Sequence, residues 1–190
     1  MKITAIKTYA LQAEIDGDTF GWSQQVTDRR QAVICVISTD EDIQGVGEAF
    51  YFGGPARIAA DIITDVYGPL LMDRDPWDTS VIWDSLYNRT RDQGMKGVII
   101  SALSAIDIAL WDIKGKAKGL PVFKLLGGAY RNKARVYATG LYEPQNVPDV
   151  TEALVDEALG YKKEGFSGMK LKVGYGIDKD VSYVKAIREA

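Results

Sequence analysis

Two lysines spaced two residues apart, Lys170 and Lys172, could form a catalytic pair. Successive side chains of an extended strand point to opposite faces, so the two ammonium groups share one face, roughly 7 Å apart. Inside a parallel barrel, where apolar side chains normally fill the space, two such charges are costly unless chemistry requires them. An exposed edge strand with solvated lysines is the simpler interpretation and the commoner one for a bare Lys-x-Lys. The opposite face is apolar, as a covering helix requires, and carries Met169, Leu171 and Val173.

Composition excludes several classes of function. The net charge of −3 argues against nucleic acid or an anionic membrane as the main partner. No apolar run reaches the ~18 residues of a membrane span, and residues 1–3 lead directly into a strand-like segment rather than a signal peptide. Histidine is absent, which rules out Ser-His or Cys-His catalysis and His-ligated zinc within this chain. The single cysteine, Cys35, cannot form an internal disulfide, so we expect a reducing compartment such as the cytoplasm and a buried thiol.

The first part of the chain has the pattern of an α+β domain. Residues 3–11 form a β-branched run, and residues 32–39 are apolar on both faces, which predicts a central strand. A turn at 40–42 leads to 43–49, the predicted antiparallel partner. Gly45-x-Gly47 within that partner lacks the third glycine and the helix of a nucleotide-binding fingerprint.

Helical periodicity follows. Apolar residues over 58–66 predict a helix that ends at Gly68-Pro69, and Asp75-Pro76 is typical of the start of a second helix. The strongest pattern spans 97–116 and predicts a helix buried along most of its length. Its apolar stripe consists of Ile99, Ala102, Leu103, Ile106, Ala109, Leu110 and Ile113.

From about residue 134 the pattern changes to alternating strands and helices. A strand over 136–140, a helix over 149–164, the lysine strand and a helix from Asp178 predict two parallel βα units. The last helix is expected to bury Val181, Val184 and Ile187. A (β/α)8 barrel needs about 250 residues, and the sequence stops within a helix without a capping residue, so we expect a cut there.

Three motifs in this order resemble the enolase superfamily, in particular its mandelate racemase/muconate-lactonizing-enzyme branch. The first motif is KITAIK at 2–7 with GVGEA at 45–49, and the third is GMKLKVG at 168–174. The longest, SALSAIDIALWDIKGKAKGLPVFKLLGG at 101–128, resembles the helix and loop that join cap to barrel. The resemblance covers essentially the whole chain. It implies an α+β capping domain at 1–133 followed, at 134–190, by the first two βα units of a TIM-type (β/α)7β barrel.

The resemblance also implies a reaction. In this superfamily a base removes the proton α to a carboxylate, and Mg²⁺ holds the resulting enediolate. By the family motif, Lys172 would be the base. Lys170 would contact the carboxylate and lower the pKa of Lys172 by like-charge repulsion. That lowering matters because an unperturbed lysine, with a pKa near 10.4, is almost wholly protonated at neutral pH.

Substrate selection in the family depends largely on cap loops that fold over the barrel mouth. By position, the segments 16–22 and 50–54 are the candidates, together with a tyrosine just past the first barrel strand. Simple packing between cap and barrel is an equally good interpretation of these aromatics. The candidate substrate-binding residues are Phe20, Trp22, Tyr51, Phe52 and Tyr142.

The chain departs from the family pattern by what it lacks. The family's metal ligands are carboxylates on the third to fifth barrel strands, and the opposing acid/base, a His-Asp pair or another lysine, comes from later strands. We therefore expect no metal ligand within these residues and a whole protein of about 380 residues.

The leading functional hypothesis is an acid-sugar dehydratase or a racemase that acts on a small carboxylate. Members of the family commonly assemble into oligomers, so the resemblance implies a homo-oligomer. A muconate-type cycloisomerase or N-acylamino-acid racemase is the alternative, and a lysine in place of histidine on the late strands would discriminate. A hypothesis from another class is a non-catalytic fragment that serves as an interaction module. Against it, an open barrel edge would expose apolar surface and unpaired backbone groups.

Overall fold

A computed structural model describes residues 1–15, 20–50 and 54–190, without the side chains of Phe20 and Trp22. The chain divides into two compact units, one formed by Met1–Ala13 with Gln31–Tyr130 and the other by Glu14–Arg30 with Arg131–Ala190. Each unit has its own hydrophobic core. Within the described ranges, no helix is both long enough and apolar enough to cross a membrane.

The described secondary structure begins with strands followed by helices and alternates between strand and helix only from β6 onward, as predicted. The strands are β1 (Ile3–Glu14), β2 (Phe20–Trp22), β3 (Gln25–Thr27), β4 (Arg29–Thr39), β5 (Gln44–Ala49), β6 (Ala138–Thr139) and β7 (Met169–Lys170). The α-helices are α1 (Arg57–Asp61), α2 (Gly68–Leu71), α3 (Thr79–Thr90), α4 (Val98–Lys118), α5 (Val122–Leu125), α6 (Val150–Lys163) and α7 (Ile177–Glu189). A π-helix (Ile62–Tyr67) lies between α1 and α2, and a 3₁₀-helix (Arg91–Gln93) follows α3.

The sheet of the first unit has the order β1-β4-β5, with β4 and β5 antiparallel. The prediction of a central strand is confirmed for β4, in which Val33, Cys35 and Ile37 are fully buried. The prediction of a buried thiol is confirmed, since Cys35 is fully buried. Burial raises the pKa of this thiol to about 12, so it is protonated at neutral pH.

Helix α4 packs directly on the edge strand β5. A Cβ at Gly45 would overlap the Ala109 carbonyl oxygen, and one at Gly47 would overlap that of Ala105. The absence of a side chain at these two glycines therefore allows α4 to pack closely on β5. Asp112 Oδ2 accepts a hydrogen bond of 2.8 Å from the Val46 N–H, so a helix side chain satisfies an edge-strand donor.

Helix α4 itself confirms the strongest sequence prediction. Every member of the predicted apolar stripe is buried. The helix ends at Gly119, whose left-handed conformation (φ 61°) lets its N–H donate to the Lys116 carbonyl at 3.2 Å.

Two helix boundaries differ from the prediction. The helix that starts at Arg57 does not end at Gly68-Pro69, because the π-helical turn lets Gly68 N–H donate to the Ile63 carbonyl and Pro69 falls in the first turn of α2. Helix α3 starts at Thr79 rather than at Pro76. Asp75 instead closes a turn, in which its Oδ1 accepts from Trp77 N–H at 3.0 Å.

The second unit contains the two predicted βα units. Strands β6 and β7 are parallel, with Ala138 opposite Met169 and Thr139 opposite Lys170. Both strands are shorter than predicted. After β6 the chain turns at Leu141, where φ is 51°. Helix α6 begins after Asp149, whose Oδ1 accepts from Glu152 N–H at 3.0 Å.

The predicted apolar faces of the second unit need two corrections. Val173 is 51% exposed, because the chain turns at Gly174, where φ is 113°. In α7, Val181 and Val184 are largely exposed, and the residue that enters the core is Tyr183, at 3% exposure, with Ile187 beside it. Tyr183 and Ile187 are four residues apart and so lie on one face of the helix. Residues spaced by three, such as Val181 and Val184, are rotated by about 60° around the helix axis at each step.

Candidate active site at the end of the lysine strand

The main chain of Lys172 is fixed to the end of the neighbouring strand. Its N–H donates to the Leu141 carbonyl at 3.2 Å, which continues the parallel pairing that begins where Ala138 N–H donates to Gly168 O at 3.0 Å. Met169 and Leu171 pack into the core of the second unit, so alternation directs Lys170 and Lys172 to the opposite side. The structure thus places both predicted lysines on one side of the strand end.

The surroundings of Lys172 lower the pKa of its side chain. Desolvation by partial burial lowers the pKa of its ammonium group, and the positive charge of Lys170 lowers this pKa further. Lys170 is exposed and so can meet an anion from solvent. A lysine with a lowered pKa next to a second ammonium group is suited to accept a proton from a bound anionic acid.

Tyr142, the residue predicted just past the first barrel strand, lies beside Lys172. The Lys172 Nζ is 5.2 Å from the centroid of the tyrosine ring. Tyr142 is half-buried. The structure therefore brings three of the sequence-predicted site residues together, namely Lys170, Lys172 and Tyr142.

Polar residues that the sequence did not single out hold the two loops of the site. Asp180 accepts hydrogen bonds from Gly174 N–H at 2.9 Å and from Tyr175 N–H at 3.1 Å, which fixes the loop after Lys172. Lys179 Nζ lies 2.8 Å from Glu143 Oε1 and links this loop to the one after Tyr142. The signal for these residues in the sequence was weak, because Glu143 is merely an acidic residue shortly after a predicted strand and Asp180 is one near the start of a predicted helix.

The hairpin of β2 and β3 belongs to the same unit and reaches the site loop at its turn. A Cβ at Gly174 would lie 2.6 Å from Ser23 Oγ, so the hairpin turn packs on the backbone just after the lysine strand. Phe20 and Trp22 lie on β2, but their side chains are outside the described part. Tyr51 and Phe52 are outside the described residues as well. Substrate contacts by these four aromatics stay predictions.

A cleft of about 660 Å³ also opens in this unit, on the other side of the strand. It is lined mainly by apolar side chains, among them Met169, Leu171 and Ile187. The two lysines point away from it by strand alternation. Its cationic lining residues are Lys162 and Arg188, and neither Lys170 nor Lys172 is among the lining residues. The cleft is therefore separate from the candidate site.

The described residues do not fit a magnesium site. No group of three or more His, Cys, Asp or Glu side chains comes together among them in a way that could hold a metal ion. Mg²⁺ prefers carboxylate oxygens, and Glu143 and Asp180 near the lysines already accept hydrogen bonds from Lys179 and from the loop backbone.

Comparison with known proteins finds a matching family and relatives that are named as cycloisomerases and dehydratases. The mandelate racemase/muconate lactonizing enzyme N-terminal domain family matches residues 8–127. D-galactarolactone cycloisomerase from Agrobacterium fabrum is 42% identical over 190 residues, which are 100% of this chain and 49% of the relative. Arabinonate dehydratase from Saccharolobus solfataricus is 37% identical over 160 residues, 84% of this chain and 42% of the relative. The crystal structure of the 3,6-anhydro-D-galactonate cycloisomerase from Zobellia galactanivorans has a TM-score of 0.83 and 39% identity, and covers 100% of this chain and 48% of that one.

These matches confirm the predicted family and its α+β capping fold. The chain spans about half the length of the curated relatives it matches. Arabinonate dehydratase is of the acid-sugar dehydratase type named in the leading hypothesis. D-galactarolactone cycloisomerase is a cycloisomerase, but of a sugar lactone rather than of the muconate type named in the alternative. This chain belongs to the mandelate racemase/muconate lactonizing enzyme family of the enolase superfamily.

Proposed function

We propose that this chain supplies the capping domain and the proton-abstracting lysine of an enzyme that acts on a sugar acid or a related hydroxy acid. Residues 1–133 would form the cap and 134–190 the first two βα units of a (β/α)7β barrel. The observation that carries the proposal is the pair Lys170 and Lys172 at the strand end, with the pKa of Lys172 lowered by partial burial and by its neighbour's charge. The 42% identity to a sugar-acid lactone cycloisomerase supports the substrate class.

The proposed first step is proton transfer from the substrate α-carbon to neutral Lys172 Nζ. The C–H bond breaks, its electron pair moves into the carboxylate to give an enediolate, and Lys172 becomes an ammonium ion. Lys170 would pair with the substrate carboxylate and orient it toward Lys172. Tyr142, adjacent to Lys172 Nζ, would line the pocket at this point.

The fate of the enediolate defines the reaction class. Loss of a β-hydroxyl as water gives a dehydratase, and return of a proton to the opposite face gives a racemase. Cycloisomerisation of a sugar lactone or an anhydro sugar acid is the second candidate, favoured by the names of the relatives at 42% and 39% identity. All three share proton removal α to a carboxyl carbon, so the role proposed for Lys172 is common to them.

We expect Mg²⁺ to stabilise the charge of the enediolate, as the family resemblance implies. The described residues offer no ligand set for it, so its carboxylate ligands would come from other parts of the whole protein. The buried thiol of Cys35 is compatible with a reducing compartment such as the cytoplasm. A homo-oligomeric assembly stays a prediction.

The direct test is deuterium incorporation at the substrate α-carbon. The whole protein would be incubated with Mg²⁺ in deuterated water with arabinonate, D-galactarolactone, 3,6-anhydro-D-galactonate and mandelate as probes, and followed by NMR. We expect exchange or conversion of at least one sugar acid, and the product distinguishes loss of water from ring rearrangement. The absence of both exchange and conversion with all four acids would contradict the proposed function.

A further inference from the structure

Glu157, on helix α6, makes two hydrogen bonds beneath the candidate site. Its Oε1 accepts from Leu141 N–H at 3.0 Å and from the Tyr161 hydroxyl at 2.7 Å. Tyr161 lies one helical turn after Glu157, so both side chains project from the same face of α6. The carboxylate therefore joins this helix to the residue at which the chain leaves β6.

The turn that Glu157 supports is conformationally costly. Leu141 has φ 51°, in the left-handed region, and its side chain is almost fully buried. A non-glycine residue holds such a conformation only where its surroundings stabilise it. A charge-assisted hydrogen bond from the Leu141 N–H to the Glu157 carboxylate is an interaction of that kind.

The surroundings of Gly140 show that Glu157 and Tyr161 pack closely against the main chain. A Cβ at Gly140 would lie 2.5 Å from Glu157 Oε1 and would collide with the Tyr161 hydroxyl. The carboxylate and the phenol thus contact the main chain directly before Leu141. Tyr161 is itself packed edge-on against Phe166, with ring centroids 6.0 Å apart, which limits its movement.

The supported turn leads directly to the proton-abstracting pair. The Leu141 carbonyl accepts the Lys172 N–H at 3.2 Å, and the next residue, Tyr142, places its ring 5.2 Å from Lys172 Nζ. A shift of Leu141 would therefore displace both the main chain of Lys172 and the ring beside its ammonium group. Misplacement of a catalytic group by about 1 Å can cost about 100-fold in rate.

We propose that Glu157, oriented by Tyr161, is a positioning residue that holds the Leu141 turn and through it Tyr142 and Lys172. The inference rests on the proposed function for its effect on rate, but the placement of Lys172 can be measured without activity. The hydrogen bond to Glu157 raises the pKa of the Tyr161 hydroxyl to about 12, so Tyr161 stays a donor throughout the neutral range.

The test compares Glu157→Ala, Glu157→Gln and the matched control Asp156→Ala in the whole protein. Asp156 is the exposed acidic neighbour on the same helix, so its removal controls for loss of a carboxylate from α6. One measurement is kcat and KM for the sugar acid that the wild-type protein converts. The other is the rate at which trace acetic anhydride acetylates Lys172 relative to the exposed Lys163, determined by peptide mass spectrometry.

We expect Glu157→Ala to lower kcat by about 10- to 100-fold with little change in KM, and to raise Lys172 acetylation severalfold as the Tyr142 ring moves away. Glu157→Gln should retain both values near wild type, because its amide oxygen can accept the same two hydrogen bonds. Asp156→Ala should change neither. Unchanged Lys172 acetylation in Glu157→Ala, or equal damage by the Gln and Ala variants, would overturn the inference. A wild-type protein that converts no probe acid would refute the proposed function alone, and acetylation would still decide the role of Glu157.

Discussion

Lys172 Nζ lies 5.2 Å from the centroid of the Tyr142 ring, so residues from two successive βα units meet where their strands end. The contact is possible because Lys172 N–H donates to the carbonyl of Leu141, directly before Tyr142. In barrel enzymes the ends of the strands carry the catalytic groups. The relationship therefore connects the sequence motif of the two lysines with the proposed proton transfer.

The first prediction concerns the charge of Lys170. Because this charge lowers the pKa of Lys172, Lys170→Met should raise that pKa toward its ordinary value. The base acts when deprotonated, so the ascending limb of the kcat–pH profile of the whole protein should move to higher pH. KM should also rise through loss of the carboxylate partner. A limb that stays in place, measured from pH 6 to about 10, would contradict the electrostatic role.

A second prediction concerns the contact between α4 and β5. Gly47→Ala should destabilise the fold by about 1–3 kcal/mol, because the new methyl group would overlap the Ala105 carbonyl oxygen. The free energy of unfolding from urea titration is the measurement. Gly160→Ala is the matched control, since Gly160 lies within α6 with open space around its Cα. The control should be neutral or stabilising by up to about 1 kcal/mol, and equal effects of both substitutions would refute the packing explanation.

Much of this fold follows from sequence periodicity. The continuous apolar run of β4 predicts a buried strand, and the apolar stripe of α4 predicts its buried face. The π-helix at Ile62–Tyr67 could not be predicted in the same way. Its one-residue insertion in the hydrogen-bond pattern leaves the apolar spacing intact while it carries the helix past Gly68-Pro69.

The site was predictable only in part. Strand alternation alone predicted that Lys170 and Lys172 lie on one side of the strand, opposite a face of apolar residues. Glu157 was not identifiable, because its importance depends on the left-handed turn at Leu141, which is a non-glycine residue with no sequence signal for φ above zero. The Glu143–Lys179 ion pair joins the loop after Tyr142 to the first turn of helix α7 and depends on the parallel register of β6 and β7.

A third prediction uses Cys35, the single thiol of the chain, as a probe of the first unit. Burial raises its pKa to about 12, so at pH 8 the folded protein should react very slowly with a thiol reagent and the urea-unfolded protein rapidly. Folding keeps this thiol protonated, so its contribution to stability is full below the unfolded pKa of about 9 and is lost as pH rises from there toward about 12. Cys35→Ala should remove that part of the pH dependence. Rapid labelling of the native protein would show that the strand is open to solvent.

The most direct test of the proposed function compares Lys172→Ala with Lys163→Ala in the whole protein. Lys163 is an exposed lysine at the end of α6 and serves as the matched control. The measurement is deuterium incorporation at the α-carbon of the sugar acid that the wild-type protein exchanges, followed by NMR. We expect Lys172→Ala to abolish incorporation and Lys163→Ala to retain the wild-type rate. Exchange that persists in Lys172→Ala would contradict the assignment of Lys172 as the base.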